Sequence, residues 1–159
     1  MSLAVPKIRN SAKALIIENG AILLQRCQIG DQLVHLLPGG TQEFGESFAD
    51  TVRREVLEEA GMRVRVGTLI WVREFIARNH NGVAGDGDHV VECIFRCTPE
   101  AGATITAPSA PDTAQIDVRW ILLADLTSIT MWPETVQQLL SNDLARATTL
   151  VPAYLGDCP

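Results

Sequence analysis

The segment from residue 39 to 62, GGTQEFGESFADTVRREVLEEAGM, constrains the fold strongly because it joins paired glycines to an amphipathic acidic helix. Ser47, followed three residues later by Asp50, predicts an N-cap with an imperfect capping box, and Gly61 predicts a left-handed C-terminal cap. We therefore expect a helix over about 48–60. At roughly 100° per residue its apolar stripe, which would pack on a neighbouring layer, consists of Ala49, Val52, Val56 and Ala60.

The same helix carries three carboxylates next to that stripe. Glu55, Glu58 and Glu59 follow a spacing of i, i+3 and i+4, so they share one face. Like charges at this spacing cost a few tenths of a kcal/mol each when solvated, and more when partly buried. A hard divalent cation such as Mg²⁺ would remove that cost, since it prefers oxygen ligands. On spacing alone, the alternative is a solvated acidic face with Arg53 and Arg54 as internal partners.

Strand-like runs surround this helix. KALIIE and AILLQR, separated by Asn19-Gly20, predict a β-hairpin, and QLVHLL predicts a third strand that leads into a loop at Pro38-Gly39-Gly40. Three later runs also predict strands: VRVGTLIWVREFIA, HVVECIFRC and IDVRWILL. Pro133 begins a second predicted helix, whose apolar face contains Val136, Leu139, Leu140, Leu144 and Ala147. Together these strands and helices predict a mixed α/β (α+β) sandwich.

Length and charge limit the class of protein. A chain of 159 residues with 47% hydrophobic content predicts a single domain over residues 1–159. The net charge of −6 and the lack of a Lys/Arg cluster argue against a nucleic-acid surface. No apolar run approaches a membrane span and none resembles a signal peptide, so we expect no membrane contact and a cytoplasmic location.

The acidic segment resembles the signature of the Nudix hydrolase family at every defined position. Gly40, five residues, Glu46, seven residues and then REVLEEAGM at 54–62 agree in residue type and spacing. Residues around the signature also resemble the family pattern: Leu37-Pro38 before Gly39, Glu43 within the segment, Val118-Arg119-Trp120, and the Pro133 helix. The resemblance covers about residues 10–147 and implies an α/β/α sandwich, a mixed β-sheet packed between helices.

The resemblance also implies a set of site residues. Mg²⁺, or alternatively Mn²⁺, would be held by Glu55, Glu58, Glu59 and the Gly39 carbonyl, with Glu46 beside these ligands or on a further metal ion. Arg54 would orient a glutamate through its fork of donors and so belongs with the catalytic residues Glu55, Glu58 and Glu59. The general base would be Glu55 or a residue from a downstream loop; the downstream candidates are Glu92, Glu100, Asp86 and Asp88.

Substrate contacts are predicted beyond the signature. Arg73, His89 and Glu92 are the candidates, with Trp71 and Phe75 able to stack on a base or to pack in the core. His80 and His89 flank the glycine-rich stretch 77–88, which would be a flexible loop or a lid. Each could contact the substrate, and the alternative for each is a solvated loop histidine. We assign Trp120 and Trp132 to packing, with base stacking by Trp132 as the alternative.

Members of the family hydrolyse a nucleoside diphosphate linked to another moiety, so the implied partner is a small nucleotide derivative. Two enzyme hypotheses remain: a pyrophosphatase for ADP-ribose or a nucleotide sugar, and a nucleoside triphosphate pyrophosphohydrolase that removes damaged or ordinary nucleotides. A third hypothesis, a Nudix-fold sensor that binds without cutting, would be expected to have lost helix carboxylates that this chain retains. Many relatives dimerise, so a homodimer is also an option.

Overall fold

The computed structural model describes residues 7–80, 89–142 and 153–159. The strands are β1 (Ile8–Glu18), β2 (Ala21–Ile29), β3 (Gln32–Leu36), β4 (Gly39–Thr41), β5 (Val64–Ile76), β6 (His89–Pro99), β7 (Gln115–Leu122), β8 (Met131–Trp132) and β9 (Ala153–Asp157). The α-helices are α1 (Phe48–Ala60) and α2 (Glu134–Asn142), and short 3₁₀ helices cover Ala77–Asn79 and Leu123–Ser128. Among these residues, no helix is long and apolar enough to cross a membrane.

The strands form one mixed sheet in the order β8-β3-β2-β1-β6-β5-β9, in which β4 also pairs with β1 and β7 with β2. The first two strands make the predicted hairpin, because Asn19 and Gly20 both adopt positive φ in the turn. β1 pairs in parallel with β6, whereas β5 and β6 are antiparallel. β1 therefore lies at the centre of the sheet, beside β4 and one strand away from β5.

Two apolar cores lie on opposite faces of the sheet, because neighbouring strand residues point in opposite directions. On β1, Leu15 belongs to the core that includes Val136 and Leu140 of α2. Ala14 and Ile16 belong instead to the core that also contains three buried residues of α1, namely Val52, Val56 and Ala60. The predicted α/β/α sandwich with a mixed sheet is confirmed.

Helix α1 has the predicted boundaries. The Ser47 hydroxyl accepts a hydrogen bond from the Asp50 amide, the Asp50 carboxylate accepts one from the Ser47 amide, and Gly61 ends the helix in a left-handed conformation. The capping box is therefore complete, although Asp50 stands where a Glu is usual. Burial of the apolar stripe against β1 and β5 fixes which face of the helix turns to the sheet.

The Pro38-Gly39-Gly40 segment was predicted as a loop, and this prediction is wrong. Gly39–Thr41 form the short strand β4, in which Gly39 lies opposite Lys13 and Gly40 opposite Ala12 of β1. Glycine has little strand propensity, so the contact with β1 and not the local sequence makes this strand. Leu144 and Ala147 of the predicted second helix, and residues 81–88 of the predicted loop, lie outside the described residues. That residues 1–159 form one domain stays a prediction.

Gly39 should tolerate no side chain. A Cβ at this position would lie 2.2 Å from the Ala12 carbonyl oxygen and 2.8 Å from the Lys13 Cα, and φ is +132°. We expect Gly39→Ala to lower the free energy of unfolding by about 3 kcal/mol, because backbone atoms cannot move away as a side chain would. Urea denaturation monitored by circular dichroism measures the loss.

Gly45 provides a matched control for that substitution. Its φ is also positive, at +90°, but a Cβ there would meet no atom within 4 Å among the described residues. Gly45→Ala should therefore cost only the backbone strain, about 1 kcal/mol. Equal losses in the two variants would contradict the close approach of β4 to β1.

Candidate active site

Arg54 holds the carboxylates of the signature segment together. Its Nε and Nη2 donate to the two oxygens of Glu46 at 2.6 and 3.0 Å, and its Nη1 donates to Glu55 at 2.8 Å and Glu58 at 3.3 Å. Nη2 also donates to the Thr41 carbonyl oxygen at 3.1 Å. The guanidinium thus ties the loop before α1, the helix itself and β4 into one unit.

Glu46 is fully engaged by protein donors. Besides Arg54, its carboxylate accepts hydrogen bonds from the Glu43 amide at 3.0 Å and the Thr51 hydroxyl at 2.9 Å. The hydrogen bonds from Arg54 lower the pKa of Glu46 to about 2, against the opposing effect of partial burial. Of the two roles predicted for Glu46, this geometry favours a supporting place beside the metal ligands.

Glu59 is buried at the centre of the site. The side chain lies on the sheet-facing side of α1 with 1% exposure, and its Oε2 accepts a hydrogen bond from the Gly39 amide at 2.9 Å. Its Oε1 is also buried and has no hydrogen-bond partner among the described residues. Burial raises the pKa of Glu59 to about 7, although the nearby charge of Lys13 and the Gly39 amide oppose this shift.

Lys13 of β1 reaches the same place from the sheet. Its ammonium donates to the Gly39 carbonyl oxygen, the backbone atom predicted as a metal ligand, and its charge acts on both Glu55 and Glu59. The Glu55 carboxylate lies directly over Gly40, where a Cβ would be 2.5 Å from its Oε1. Burial raises the pKa of Glu55, while Arg54 lowers it. Two basic side chains therefore flank the carboxylates.

These residues fit a divalent cation in their chemistry. The partnerless buried oxygen of Glu59, the Gly39 carbonyl and the carboxylates of Glu55 and Glu58 are all hard oxygen donors. Across residues 7–80, 89–142 and 153–159, no three acidic, His or Cys side chains already converge closely enough to hold a metal. The reason is visible in the contacts, since Glu55 and Glu58 bond to Arg54. The roles of these residues as ligands stay predictions.

Two adjoining cavities meet at this site. A polar cleft of about 560 Å³ is lined by Ser11, Gly39, Gly40, Glu43 and Glu55, among others. An apolar cavity of about 390 Å³ is lined by residues that include Leu36, Leu37, Phe75, Trp132 and Pro159. Lys13 and Glu92 line both, so they mark the boundary between the acidic cleft and the apolar cavity.

Of the three predicted substrate contacts, two line a cavity and one does not. Arg73 and Glu92, paired across β5 and β6, both line the apolar cavity, and Arg73 Nε donates to Glu92 Oε1 at 2.8 Å. His89 begins β6, with its Nε2 3.7 Å from Glu74 Oε1, and it is not among the residues that line either cavity. The structure thus brings two of the three candidates to the site.

Some of the candidates for base stacking and for the general base line a cavity, and others do not. Phe75 and Trp132 line the apolar cavity, whereas Trp71 is buried in the core at 3% exposure. His80 bonds to Asp157 at 2.7 Å and stacks on Phe75 at 5.3 Å. Of the base candidates, Glu55 and Glu92 line the acidic cleft and Glu100 does not. Asp86 and Asp88 lie outside the described residues.

Sequence reasoning missed Lys13. A signal was present, because Lys13 is the one charged side chain inside the apolar run AKALII, on a strand that the hairpin pattern had already identified. A lysine in a half-buried strand needs a partner for its ammonium group. That partner is a backbone carbonyl 26 residues away, which the sequence does not indicate.

Comparisons with known proteins identify the family of this chain. The sequence matches the NUDIX domain over residues 7–141. A MutT-like protein from Streptomyces ambofaciens is 34% identical over 96 residues, which is 60% of this chain and 54% of that relative. The chain thus spans about half of the length of this curated relative.

Solved structures show the same architecture. A NUDIX hydrolase from Nitrosomonas europaea superposes with a TM-score of 0.70 at 19% identity, covering 92% of this chain and 93% of that one. An ADP-ribose pyrophosphatase from Streptococcus suis superposes with a TM-score of 0.65 at 20% identity, covering 96% and 100%. The chain belongs to the Nudix family, whose members are pyrophosphohydrolases that generally use divalent metal cations.

Arg54 should be essential to the stability of the metal-free protein. Arg54→Gln would leave Glu46, Glu55 and Glu58 without their shared cation, and we expect a loss of about 2 kcal/mol, between values for exposed and buried pairs. Arg53→Gln is the matched control, since the exposed Arg53 donates to the exposed Asp50 at 3.1 Å and its loss should change stability by less than about 0.5 kcal/mol. Urea denaturation in EDTA compares the two. A loss that is no larger for Arg54 than for Arg53 would contradict the clamp.

Proposed function

We propose that this protein is a hydrolase that uses Mg²⁺ to cleave the diphosphate linkage of a nucleoside diphosphate joined to another moiety, such as ADP-ribose or a nucleotide sugar. The observation that carries the proposal is the junction of two unlike cavities, an acidic cleft and an apolar one, at Lys13 and Glu92. A diphosphate with its cation suits the acidic cleft, and a ring system suits the apolar cavity.

The acidic cleft would bind the diphosphate through both the cation and Lys13. Glu59, Glu55, Glu58 and the Gly39 carbonyl would hold the cation, which neutralises the diphosphate and makes it susceptible to attack by water. Lys13 would exchange its bond to the Gly39 carbonyl for a phosphate oxygen, because an ammonium is a strong donor to phosphate. Arg54 would give up its bonds to Glu55 and Glu58 to the cation and keep its two bonds to Glu46.

Glu55 is the general base that the geometry favours. It lines the acidic cleft, its carboxylate lies over Gly40, and burial raises its pKa above the usual range for Glu. A carboxylate with a raised pKa takes a proton from water more readily. Glu92 also lines the cleft and is the second candidate; each of the two glutamates accepts one hydrogen bond from an arginine, Glu55 from Arg54 and Glu92 from Arg73.

A nucleoside triphosphate is the second candidate substrate. The acidic cleft, at about 560 Å³, is larger than the apolar cavity and offers room for a longer phosphate chain. The same residues would hold the cation and the phosphates in both cases. Products distinguish the two, because a triphosphate would release a nucleoside monophosphate and pyrophosphate.

Removing one carboxylate should slow turnover strongly without unfolding the protein. We expect Glu58→Gln and Glu59→Gln each to lower kcat/KM by about 100-fold, since a neutral amide is a poor cation ligand. The assay is product chromatography with ADP-ribose, nucleotide sugars, nucleoside triphosphates and dinucleoside polyphosphates, each with Mg²⁺, Mn²⁺ or EDTA. Glu18→Gln, an exposed glutamate at the β1 turn, is the control. Full activity in both site variants would refute the assignment.

The cation should also stabilise the folded protein. At ten times its dissociation constant, Mg²⁺ would add about 1.4 kcal/mol and raise the melting temperature by about 3–6 °C. Glu59→Gln should lose this shift and Glu18→Gln should keep it. Differential scanning fluorimetry in EDTA and in a Mg²⁺ series measures the effect. A shift that survives in Glu59→Gln would place the cation elsewhere.

A further inference from the structure

Part of the apolar cavity is built from a segment distant in sequence from the rest. β9 runs parallel to β5, with Val72 opposite Tyr154 and Glu74 opposite Asp157. Two residues beyond that strand, Pro159 lines the cavity together with Phe75 and Trp132. The size of the cavity therefore depends on where Pro159 is held.

Arg73 joins this segment to the sheet. Its Nη1 donates to the Cys158 carbonyl oxygen at 2.7 Å, while its Nε donates to Glu92 at 2.8 Å. The side chains of Arg73 and Glu92 are 12% and 8% exposed, so water screens their attraction little. A guanidinium can serve two acceptors at once because its donors form a rigid fork. These two donors are directed at protein oxygens on either side of Arg73.

Further hydrogen bonds fix the residues just before Pro159. The Cys158 amide donates to the Glu74 carbonyl oxygen at 3.1 Å. The Asp157 carboxylate accepts from the Ile76 amide at 2.9 Å and from the Asn79 side chain at 2.7 Å. Together with the Arg73 contact, these bonds hold the backbone on both sides of Cys158, whose side chain is buried.

We infer that Pro159, held through the backbone of Cys158, forms a specificity-determining wall for the part of the substrate that enters the apolar cavity, and that Arg73 is the residue that positions this wall. The inference rests on the proposed function in that the cavity must receive the nucleoside or sugar part of the substrate. Apolar pockets discriminate by volume, at about 10- to 200-fold for one methylene group. A shift of Pro159 should therefore change which substrates are preferred.

The first test asks whether Arg73 holds the segment, and it needs no substrate. Cys158 is buried and adjacent to the Arg73 contact, so its alkylation rate reports opening of the segment. We expect Arg73→Met to raise the rate by about tenfold and Arg73→Lys to raise it less, since one ammonium replaces the fork. The rate is read by mass spectrometry of the labelled peptide after treatment with iodoacetamide.

Two controls separate this effect from general loosening. Arg65→Met changes an exposed arginine on the same strand and should leave the rate at Cys158 unchanged. Cys27, buried at 2% exposure in β2, should stay unlabelled in every variant. An unchanged rate at Cys158 in Arg73→Met would overturn the positioning role.

The second test asks whether the wall selects the substrate. Pro159→Trp should narrow the cavity and Pro159→Gly should widen it. The kcat/KM values of ADP-ribose, UDP-glucose and ATP are compared in pairs, and we expect each ratio to change by about tenfold, in opposite directions in the two variants. Most of the change should lie in KM. Arg73→Met should shift the ratio in the same direction as Pro159→Gly. A purely structural role would lower the melting temperature and leave the ratio unchanged.

The outcomes distinguish this inference from the proposed function. Hydrolysis with an unaltered substrate ratio in both Pro159 variants would overturn the wall and leave the proposed function intact. If the wild-type protein hydrolyses none of the three, the proposed function fails. Calorimetric titration with ADP-ribose then tests the role of the wall. That role is overturned if the Pro159→Trp variant binds ADP-ribose with the affinity of the wild-type protein.

Discussion

The repulsion among the carboxylates around α1 is the constraint on which the rest of the site depends. Glu46, Glu55 and Glu58 share the guanidinium of Arg54, and Lys13 approaches the same region from the central strand β1. Each carboxylate therefore has a cationic neighbour within the protein. A metal cation bound by these oxygens would compete with the side chains of Arg54 and Lys13. These two side chains hold the carboxylates together before a metal ion binds, so the site is not a preformed metal cage.

The sheet brings these opposing charges together. α1 packs its apolar stripe on one face of β1, which leaves Glu59 buried under the helix and against the Gly39 amide. β4 can approach β1 closely because Gly39 has no side chain there. On the other face, α2 and the core around Leu15 support the apolar cavity. One central strand thus serves the cation-binding residues through Lys13, which also lines both cavities.

Local sequence was sufficient for much of the fold. The boundaries of α1 followed from Ser47, Asp50 and Gly61, since capping depends on residues within one turn of the helix end. The first hairpin followed from Asn19-Gly20 for a similar reason. β4 was predicted as a loop, and β8 and β9 were not foreseen. These strands have two to five residues and owe their conformation to a partner strand that is distant in sequence.

The sequence by itself determined the family, the acidic face of α1 and the apolar stripe beside it, because spacing along one helix fixes which side chains are neighbours. Only the tertiary structure decided how those carboxylates are paired. It placed Lys13 on the Gly39 carbonyl, filled the bonds of Glu46 with protein donors, and turned Arg73 toward Glu92 and Cys158. These contacts join residues on different strands, and the register of a sheet sets them through packing over the whole domain.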